Sequence, residues 1–296
     1  MNIDKLLEEF KTYKINVEGK AEDSMNLYIK NIKKFCEDMN IKDYETLIST
    51  KSQTIKDWLS ILAEKENSAV TRNNKLSAIK QIFCFLEDEK EVEIDRKINK
   101  IKNAKTKQKE TKYLDERQME ELLAITTNQR TKSAIAILNN TGVRFSELIQ
   151  ITCTDIERGF ATIVGKGNKE RTVFFTHQTI AICRNFINGK RKRIVEKYNL
   201  DTDLLFLSDY GNIMKAQNFI NSLKYYAERT GIYWSNEMSP HKLRHSCITK
   251  ALNDGVPIQV VRDMVGHASM QTTNRYSHSK DDEIRKAMLR EDYNEE

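Results

Sequence analysis

Glycine and proline are scarce in this chain, and that scarcity is the strongest constraint on its fold. The 296 residues include 10 glycines and 2 prolines. Glycine and proline supply turns and interrupt helices, so a chain with so few of them favours long helices over a turn-rich all-β fold. A length of 296 residues allows two modest domains or one large one, and hydrophobic residues, at 39%, are enough to form their cores. We therefore predict a mainly α-helical protein.

One stretch departs from the helical pattern. The segment "FATIVGKGNKERTVFF", residues 160–175, has a β-rich arm on each side of a polar, glycine-containing turn. This arrangement is typical of a β-hairpin. The predicted fold class is therefore mainly α with a small β-hairpin or sheet.

Helical spacing of apolar residues dominates the first hundred residues. The stretches 24–39, 54–65 and 68–90 show it, with Thr54 and Ser68 in positions suited to an N-cap. They predict a helical N-terminal domain.

A basic segment follows this domain. Residues 96–112 are rich in lysine, and Glu110 is their only acid. Such a run suits either a solvated linker or a strap along a phosphate backbone. Asp115 then stands as the N-cap of a new helix. We predict three parts: a helical domain at 1–100, a basic linker at 101–112 and a second domain at 113–296.

The second domain is predicted to be helical apart from the hairpin. Pro257 suits the first turn of one helix, and Gly266 suits its C-terminal cap. The predicted helices lie around 178–198, 215–230, 241–252, 257–265 and 270–277.

Charge and cysteine content indicate the setting. The formal net charge is +6, which is compatible with a polyanionic partner. The five cysteines are scattered without a C-x-x-C pair, so they fit a reducing compartment better than a disulfide framework. The N-terminus lacks the apolar core of a signal peptide, and no apolar run reaches the roughly 20 residues of a membrane span. We expect a cytoplasmic protein without a membrane partner.

Four short segments concentrate polar residues where packing alone would not require them. They are "TGVRFSEL", "GKGNKER", "HKLRHS" and "GHASMQTTNRYSH". Their candidate functional residues are Arg144, Glu147, Lys166, His241, Arg244, His267 and Tyr276.

Two familiar kinds of site fit these segments poorly. His241 and His245 stand at i and i+4, a spacing typical of metal sites, but Lys242 takes the place of the glutamate of H-E-x-x-H. Two arginines nearby would also repel a cation. "GKGNKER" lacks the frame of a phosphate-binding P-loop, since Gly167 follows Lys166 where Ser or Thr is needed. We predict neither a metal nor a cofactor.

An anion site uses all four segments. In-line displacement at a phosphodiester builds negative charge on the non-bridging oxygens, which two guanidiniums can clamp. Imidazole N–H groups add donors, a lysine can protonate the leaving oxygen, and a tyrosine hydroxyl can attack phosphorus. Free tyrosine has a pKa near 10, so nearby cations would have to stabilise the developing phenolate.

The four segments, in this order, resemble boxes of the tyrosine recombinase (phage integrase) family, and the chain length is similar to that of its Xer-like members. "TGVRFSELIQIT" is similar to the box of the first arginine and "VGKGNKERTVFF" to the β-hairpin lysine box. "HKLRHSCIT" resembles the H-x-x-R box, and "VGHASMQTTNRYSH" resembles the box that joins the second histidine to the nucleophile. The resemblance covers most of 113–290, and the first hundred residues resemble a SAM-like core-binding domain.

The resemblance implies a role for each residue. Tyr276 would attack the scissile phosphate and form a 3′-phosphotyrosyl link, so that strand exchange needs no ATP. Arg144 and Arg244 would hold the phosphate, and Lys166 would be the general acid for the leaving 5′ oxygen. His241 and His267 are implied to be catalytic residues that assist the arginines at the phosphate, and Glu147 and His245 to have supporting roles.

The resemblance also implies a two-domain clamp on double-stranded DNA. Residues 96–112 would form its interdomain strap, and the helix near residue 75 would contact DNA. The hairpin charges Lys169 and Arg171 suit either simple exposure or a phosphate contact. The predicted DNA-binding residues are Arg72, Lys75, Lys80, Lys105, Lys107, Lys169 and Arg171.

In this family the tail after the nucleophile docks on a neighbouring protomer. Here Ile284, Met288 and Leu289 stand at helical spacing in that tail. This predicts a homo-tetramer on two DNA sites, although packing of the tail within its own chain is the simpler alternative. An accessory protein or a partner recombinase is compatible with the sequence, and an extra arm-binding domain is not expected.

Three function classes fit these features. A site-specific recombinase is favoured, either for integration and excision of a mobile element or for resolution of DNA dimers. A type IB topoisomerase shares the tyrosine chemistry but relaxes one duplex. A non-catalytic DNA-binding regulator is disfavoured because every box retains its reactive residue.

Overall fold

The structure is a computed structural model, and it describes residues 2–106, 112–165, 170–266 and 288–289. Within these ranges the chain is mainly helical with one two-stranded antiparallel sheet, so the predicted fold class is confirmed. The chain divides into two compact units, Met1–Glu110 and Thr111–Glu296. The division falls inside the stretch 101–112 that the sequence predicts as a linker.

Over residues 2–106, the first unit has five helices around an aromatic core. Phe10, Phe35, Trp58 and Phe83 are fully buried, and the rings of Phe35 and Trp58 meet edge to face. The helices are α1 (Ile3–Asn16), α2 (Glu22–Asp38), α3 (Tyr44–Ile48), α4 (Ser52–Glu64) and α5 (Ala69–Glu89).

The predicted N-caps of this unit have different outcomes. Ser68 caps α5 by accepting a hydrogen bond from the backbone N–H of Thr71, as predicted. The cap predicted at Thr54 is wrong, because α4 begins at Ser52. The carboxylate of Asp95 accepts the backbone N–H of Ser52 at 2.8 Å, so a residue distant in sequence satisfies the start of this helix.

The start of the basic segment packs on the first unit. Ile98 and Ile101 are buried in its core. The side chain of Asn73 on α5 pairs with both the N–H and the carbonyl of Ala104, at 2.8 and 3.0 Å. Lys80 on the same helix donates to the carbonyls of Asn99 and Ile101. The chain is thus held against α5 as far as residue 104.

The second unit is organised around one helix that is buried on several sides. This is α7, which packs against α6, α10, α12 and α13 and carries a run of buried residues from Ser133 to Leu138. The helices are α6 (Glu116–Ile125), α7 (Gln129–Thr141), α8 (Phe145–Leu148), α9 (Cys153–Arg158), α10 (His177–Phe186), α11 (Lys192–Tyr198), α12 (Ala216–Arg229), α13 (Pro240–Asn253) and α14 (Ile258–Val265).

The predicted hairpin is present as β1 (Phe160–Val164) and β2 (Glu170–Phe174), which pair antiparallel. The helix predicted over 178–198 is interrupted, because a π turn at Ile187–Arg191 separates α10 from α11. Gly189 causes the break: its φ of −99° and ψ of −105° are not helical, and a Cβ there would lie 2.7 Å from the side chain of Gln129.

Other predicted boundaries hold with small shifts. Asp115 caps α6 in a capping box with Gln118, and Pro257 stands one residue before α14 instead of within its first turn. Gly266 ends α14 in the left-handed conformation, as predicted. The helix predicted over 270–277 lies outside the described residues. None of the described helices is both long and apolar enough to cross a membrane.

Candidate active site

The C-terminus of α7 starts the site. Gly142 ends this helix with a φ of +61°, a conformation that costs other residues energy. A Cβ at this position would lie 3.1 Å from Val265 and 3.4 Å from the sulfur of Cys247. Glycine therefore allows α13 and α14 to approach closely, and the chain continues through Val143 to Arg144, the N-cap of α8.

Arg244 of α13 is buried between two helix ends. Its side chain donates from Nη1 to the carbonyl of Gly142 and from Nη2, at 2.6 Å, to the carbonyl of Val265. These carbonyls belong to the C-terminal ends of α7 and α14, where the helix dipole is negative. Burial, with Arg144 nearby, lowers the pKa of Arg244 to about 10, which leaves it charged at neutral pH.

Arg144 is more accessible than Arg244. Its side chain is 34% exposed, whereas Arg244 as a residue is 5% exposed. Arg144 donates to Glu147 at 2.8 Å and to the carbonyl of Gly266 at 3.1 Å. The backbone N–H of Arg144 also donates to Glu147, so this carboxylate holds both the backbone and the guanidinium of Arg144. An anion that enters the site can reach Arg144 while its guanidinium is held in place.

Arg171 of β2 lies on the far side of Glu147. Its Nη2 donates to Glu147 Oε2 at 2.7 Å, its Nη1 approaches Oε1 at 3.3 Å, and its Nε donates to the carbonyl of Met264. The interpretation of Arg171 as an ordinary exposed hairpin charge is wrong, since its side chain is only 8% exposed. The strand register turns it inward, and a contact with a DNA phosphate is not favoured by this geometry.

The pattern of the hairpin sequence indicates that the side chain of Arg171 faces inward. Arg171 pairs across the sheet with Ile163. It stands two residues before the buried Val173 on the same strand, so the side chains of Arg171, Ile163 and Val173 lie on the same face of the hairpin. An arginine at an inward-facing strand position needs a buried partner. Strand alternation therefore indicates an internal ion pair at Arg171, although it does not identify Glu147.

Among the described residues, Glu147 is the carboxylate that accepts hydrogen bonds from both Arg144 and Arg171. Burial alone would raise its pKa, but hydrogen bonds from Arg171 and from the backbone of Arg144 outweigh burial and lower the pKa to about 2. Glu147 is thus ionised at neutral pH. Three guanidiniums stand around Glu147, and the cleft beside them adds the carboxylate of Asp155, so the described side chains keep an excess of positive charge that suits an anionic ligand.

The two histidines of α13 occupy different environments. His241 is exposed in the first turn, directly after Pro240, one helical turn before Arg244. His245 is half-buried, and its ring meets Tyr113 edge to face at 6.2 Å. Burial, with a smaller effect from Lys242, lowers the pKa of His245, so it is neutral at pH 7. Accordingly, His241 is available to a ligand and His245 packs in the fold.

A cleft of about 640 Å³ opens beside Arg144. Its walls come from α8, from β1 and from Asp155 of α9, and they include Ser146, Gln150 and Thr162. Gly165, the last described residue before the hairpin turn, also lines it. The predicted residues Lys166, Lys169, His267 and Tyr276 lie outside the described residues. Of the predicted residues, the structure brings together the catalytic Arg144 and Arg244 with the supporting Glu147.

The predicted DNA-binding residues of the first unit have varied surroundings. The ammonium group of Lys75 stands 5.8 Å from the ring centre of Trp58, and Lys80 is engaged by backbone carbonyls. Nε of Arg72 is buried without a hydrogen-bond partner among the described residues. Lys105 is exposed, and Lys107 lies outside the described residues. Their DNA contacts stay predictions.

Comparison with known proteins identifies the family. The phage integrase family model matches residues 112–283, and the model of the phage integrase N-terminal SAM-like domain matches residues 7–90. The chain therefore belongs to the phage integrase family, and its class is that of the tyrosine-type site-specific DNA recombinases.

The relatives place it among the Xer-like members. Tyrosine recombinase XerD of Yersinia pestis is 32% identical over 246 residues, which cover 81% of each chain. Tyrosine recombinase XerD of Staphylococcus haemolyticus is 29% identical over 297 residues, which cover 98% of this chain and 97% of the relative.

Solved structures share the fold. The integrase of transposon Tn1549, in complex with transposon right end DNA, is 20% identical and has a TM-score of 0.70 over 98% of this chain and 99% of its own. The XerH recombinase bound to its difH substrate, also 20% identical, has a TM-score of 0.64 over 91% of this chain and 80% of its own.

Proposed function

We propose that this protein cuts and rejoins DNA strands through a 3′-phosphotyrosyl link on Tyr276, without a metal and without ATP. The observation that carries the proposal is the paired guanidinium site. Arg244 is buried and fixed by two helix ends, and Arg144 is held by Glu147 with a third of its side chain exposed. A preorganised pair of this kind stabilises charge that develops on a phosphate in the transition state.

The proposed site retains donors for the phosphate. A guanidinium carries five N–H donors, and Arg244 uses one on each Nη for the carbonyls of Gly142 and Val265. The remaining N–H groups of Arg244 and those of Arg144 would bind the non-bridging oxygens. His241, exposed one helical turn before Arg244, would add a further donor.

The proposed reaction is a transesterification. The Tyr276 oxygen bonds to phosphorus as its proton passes to solvent water, and the bond from phosphorus to the 5′ oxygen breaks. Lys166 gives a proton to that oxygen, and His267 assists the phosphate. A 5′-hydroxyl of another strand then attacks the phosphotyrosine and reverses these steps. The number of phosphoester bonds is conserved, which explains why no nucleotide cofactor is needed. The roles of Lys166, His267 and Tyr276 rest on the family boxes.

We propose double-stranded DNA as the substrate and a tetramer on two DNA sites as the active assembly. Two of the solved relatives are complexes with DNA, and another is a lambda integrase tetramer bound to a Holliday junction, with a TM-score of 0.67. The biological use would be resolution of DNA dimers or integration and excision of a mobile element. An accessory protein or a partner recombinase is compatible with either use.

One described contact bears on how such an assembly would form. Met288 of the C-terminal tail is buried against its own chain, where its carbonyl accepts from Asn140 and its sulfur accepts from the backbone N–H of Phe174. We propose that the same binding site, formed by Asn140 and Phe174, can receive Met288 of a neighbouring protomer. Packing within one chain would then be the state of the free protein, and exchange of the tail would accompany assembly on DNA.

A product assay separates this function from single-duplex relaxation. Two plasmids that carry the same recombination site and different flanking markers are incubated with the protein. Recombination joins the two markers on one molecule, whereas a type IB topoisomerase only changes the superhelicity of each plasmid. Relaxation without joined markers would overturn the recombinase proposal, and binding without any cleavage would favour the non-catalytic regulator.

A further inference from the structure

Glu147 lies between two arginines that differ sharply in exposure. Arg144 donates to one of its oxygens at 2.8 Å, and Arg171 donates to the other at 2.7 Å. The side chain of Arg171 is 8% exposed and that of Glu147 is 7% exposed, against 34% for Arg144. A phosphate that enters from solvent therefore meets Arg144, with Glu147 and Arg171 behind it.

We propose that Arg171 is a positioning residue for DNA cleavage, because it neutralises Glu147 and so leaves the charge of Arg144 available to the scissile phosphate. This inference deepens the proposed function and rests on it. Without Arg171, the buried carboxylate would have Arg144 as its nearest partner. The pair would then be close to neutral, and its attraction for a phosphate would be weaker.

The same side chain joins three parts of the second unit. Arg171 belongs to β2, it binds Glu147 of α8, and its Nε donates to the carbonyl of Met264 near the end of α14 at 3.2 Å. In the sequence, Lys166 precedes Arg171 by five residues and His267 follows Gly266 directly. Arg171 therefore fixes the elements from which both of those segments depart.

The cap of α14 is shaped around this guanidinium. Gly266 has a φ of +64°, and a Cβ there would lie 3.1 Å from Nη1 of Arg171. Its carbonyl accepts from Arg144. The two arginines are thus held on opposite sides of one carboxylate and along one helix end. An exposed hairpin charge would need none of these contacts.

The test compares Arg171→Gln, Arg171→Lys and a matched control in the full-length protein. The control is Arg191→Gln, which also removes a buried guanidinium of the second unit, one that donates to the carbonyls of Thr202 and Leu204. The rate of covalent adduct formation on a nicked suicide substrate is measured at saturating DNA, together with DNA affinity and thermal unfolding. Wild type must form the adduct first, since its failure would refute the proposed function and not the role of Arg171.

We expect Arg171→Gln to slow cleavage by about 100-fold, the size of loss typical when a preorganised charged group is removed. DNA affinity should stay within about threefold, since most phosphate contacts lie elsewhere. Arg171→Lys should recover about tenfold, because it restores the charge without the paired hydrogen bonds. Cleavage by Arg171→Gln within twofold of wild type, or a loss matched by Arg191→Gln, would overturn the proposal.

A double variant separates charge neutralisation from a structural ion pair. If Glu147 withholds the charge of Arg144 once Arg171 is gone, then Glu147→Gln added to Arg171→Gln should restore cleavage by about tenfold. Both variants are assayed at a temperature where each is folded; a structural ion pair then predicts no rescue of cleavage, because removal of both charged partners restores only stability. That outcome would refute charge neutralisation even if Arg171→Gln unfolds more easily.

The pH profile gives a second readout. The described charged groups near Glu147 are the guanidiniums of Arg144 and Arg171, that of Arg244 from α13, and Asp155 of α9, which lines the same cleft. In Arg171→Gln the largest hydrogen bond that lowers the pKa of Glu147 is lost while those from Arg144 remain, so the pKa rises from its value of about 2 and acid neutralises the carboxylate at a higher pH than in wild type. The ratio of the variant's rate to the wild-type rate should therefore rise as pH falls from 7.5 towards 4.5, the ordinary pKa of a glutamate. A ratio that stays constant or falls contradicts the inference.

Discussion

Replacing Glu147 by glutamine should remove an acid-sensitive part of the stability of the second unit. The pKa of Glu147 falls from its ordinary value of 4.5 to about 2 in the folded protein, since the hydrogen bonds from Arg171 and Arg144 outweigh burial. A carboxylate whose pKa is depressed on folding contributes stability above its unfolded pKa and loses it as pH falls toward the folded pKa. The relevant window therefore runs from about pH 5 down to pH 2.

The size of the stability contribution follows from the lowered pKa of Glu147. Each pKa unit corresponds to about 1.4 kcal/mol, so the full contribution is on the order of 3 kcal/mol. One unit below 4.5, at pH 3.5, wild type should have lost about 1.4 kcal/mol from this group, because the unfolded chain is then mostly protonated and the folded chain is not. Glu147→Gln has no such group and should not lose this amount.

Urea unfolding of the full-length protein between pH 5.5 and pH 3.5 measures the difference. Wild type is expected to lose about 1.4 kcal/mol more than Glu147→Gln over this range, on top of the losses that both share. Glu157→Gln, a change at an exposed carboxylate of α9, is the matched control and should follow wild type. Parallel curves for wild type and Glu147→Gln would show that Glu147 is not held by these arginines in solution.

Two further predictions address the arginine pair and the glycine beside it. Arg244→Ala should reduce adduct formation to background while DNA affinity stays within about tenfold, because other phosphate contacts remain; cleavage above about a hundredth of wild type would contradict its role. Gly142→Ala should lower the free energy of unfolding by about 1–2 kcal/mol, because alanine would have to adopt the left-handed φ of +61°. It should also slow cleavage more than about tenfold, because the new Cβ would press on Val265, whose carbonyl accepts a hydrogen bond from Arg244. The control Gly159→Ala, at a φ of +83° with its nearest neighbour at 3.8 Å, should lose stability but keep its cleavage rate, and equal losses of cleavage would refute the explanation.

The elements that the sequence predicts well are those that local chemistry decides. The β-hairpin follows from strand alternation around a polar turn, and the caps at Ser68 and Asp115 follow from side chains that reach the first turn of their own helix. Arg144 and Arg244 lie at the same helix end, since each donates to a carbonyl at the end of α14, and their joint role at a phosphate stays a prediction.

The features that the sequence did not reveal depend on partners far along the chain. The start of α4 is set by Asp95, which stands 43 residues after Ser52. The break at Gly189 accommodates Gln129, and the burial of Arg171 depends on Glu147 and Met264. Helical or strand periodicity shows that a side chain points inward, but it does not identify the group that it meets there.

The central claim is that Tyr276 is the nucleophile of a covalent strand transfer. The most direct measurement traps the protein on a nicked suicide substrate and resolves the products on a denaturing gel. Wild type and Tyr210→Phe, a change at a tyrosine that is 78% exposed, should both form a protein–DNA adduct, and Tyr276→Phe should form none. The DNA-linked peptide of the wild-type adduct should contain Tyr276. An adduct that persists in Tyr276→Phe, or that maps to another residue, would contradict the proposed mechanism.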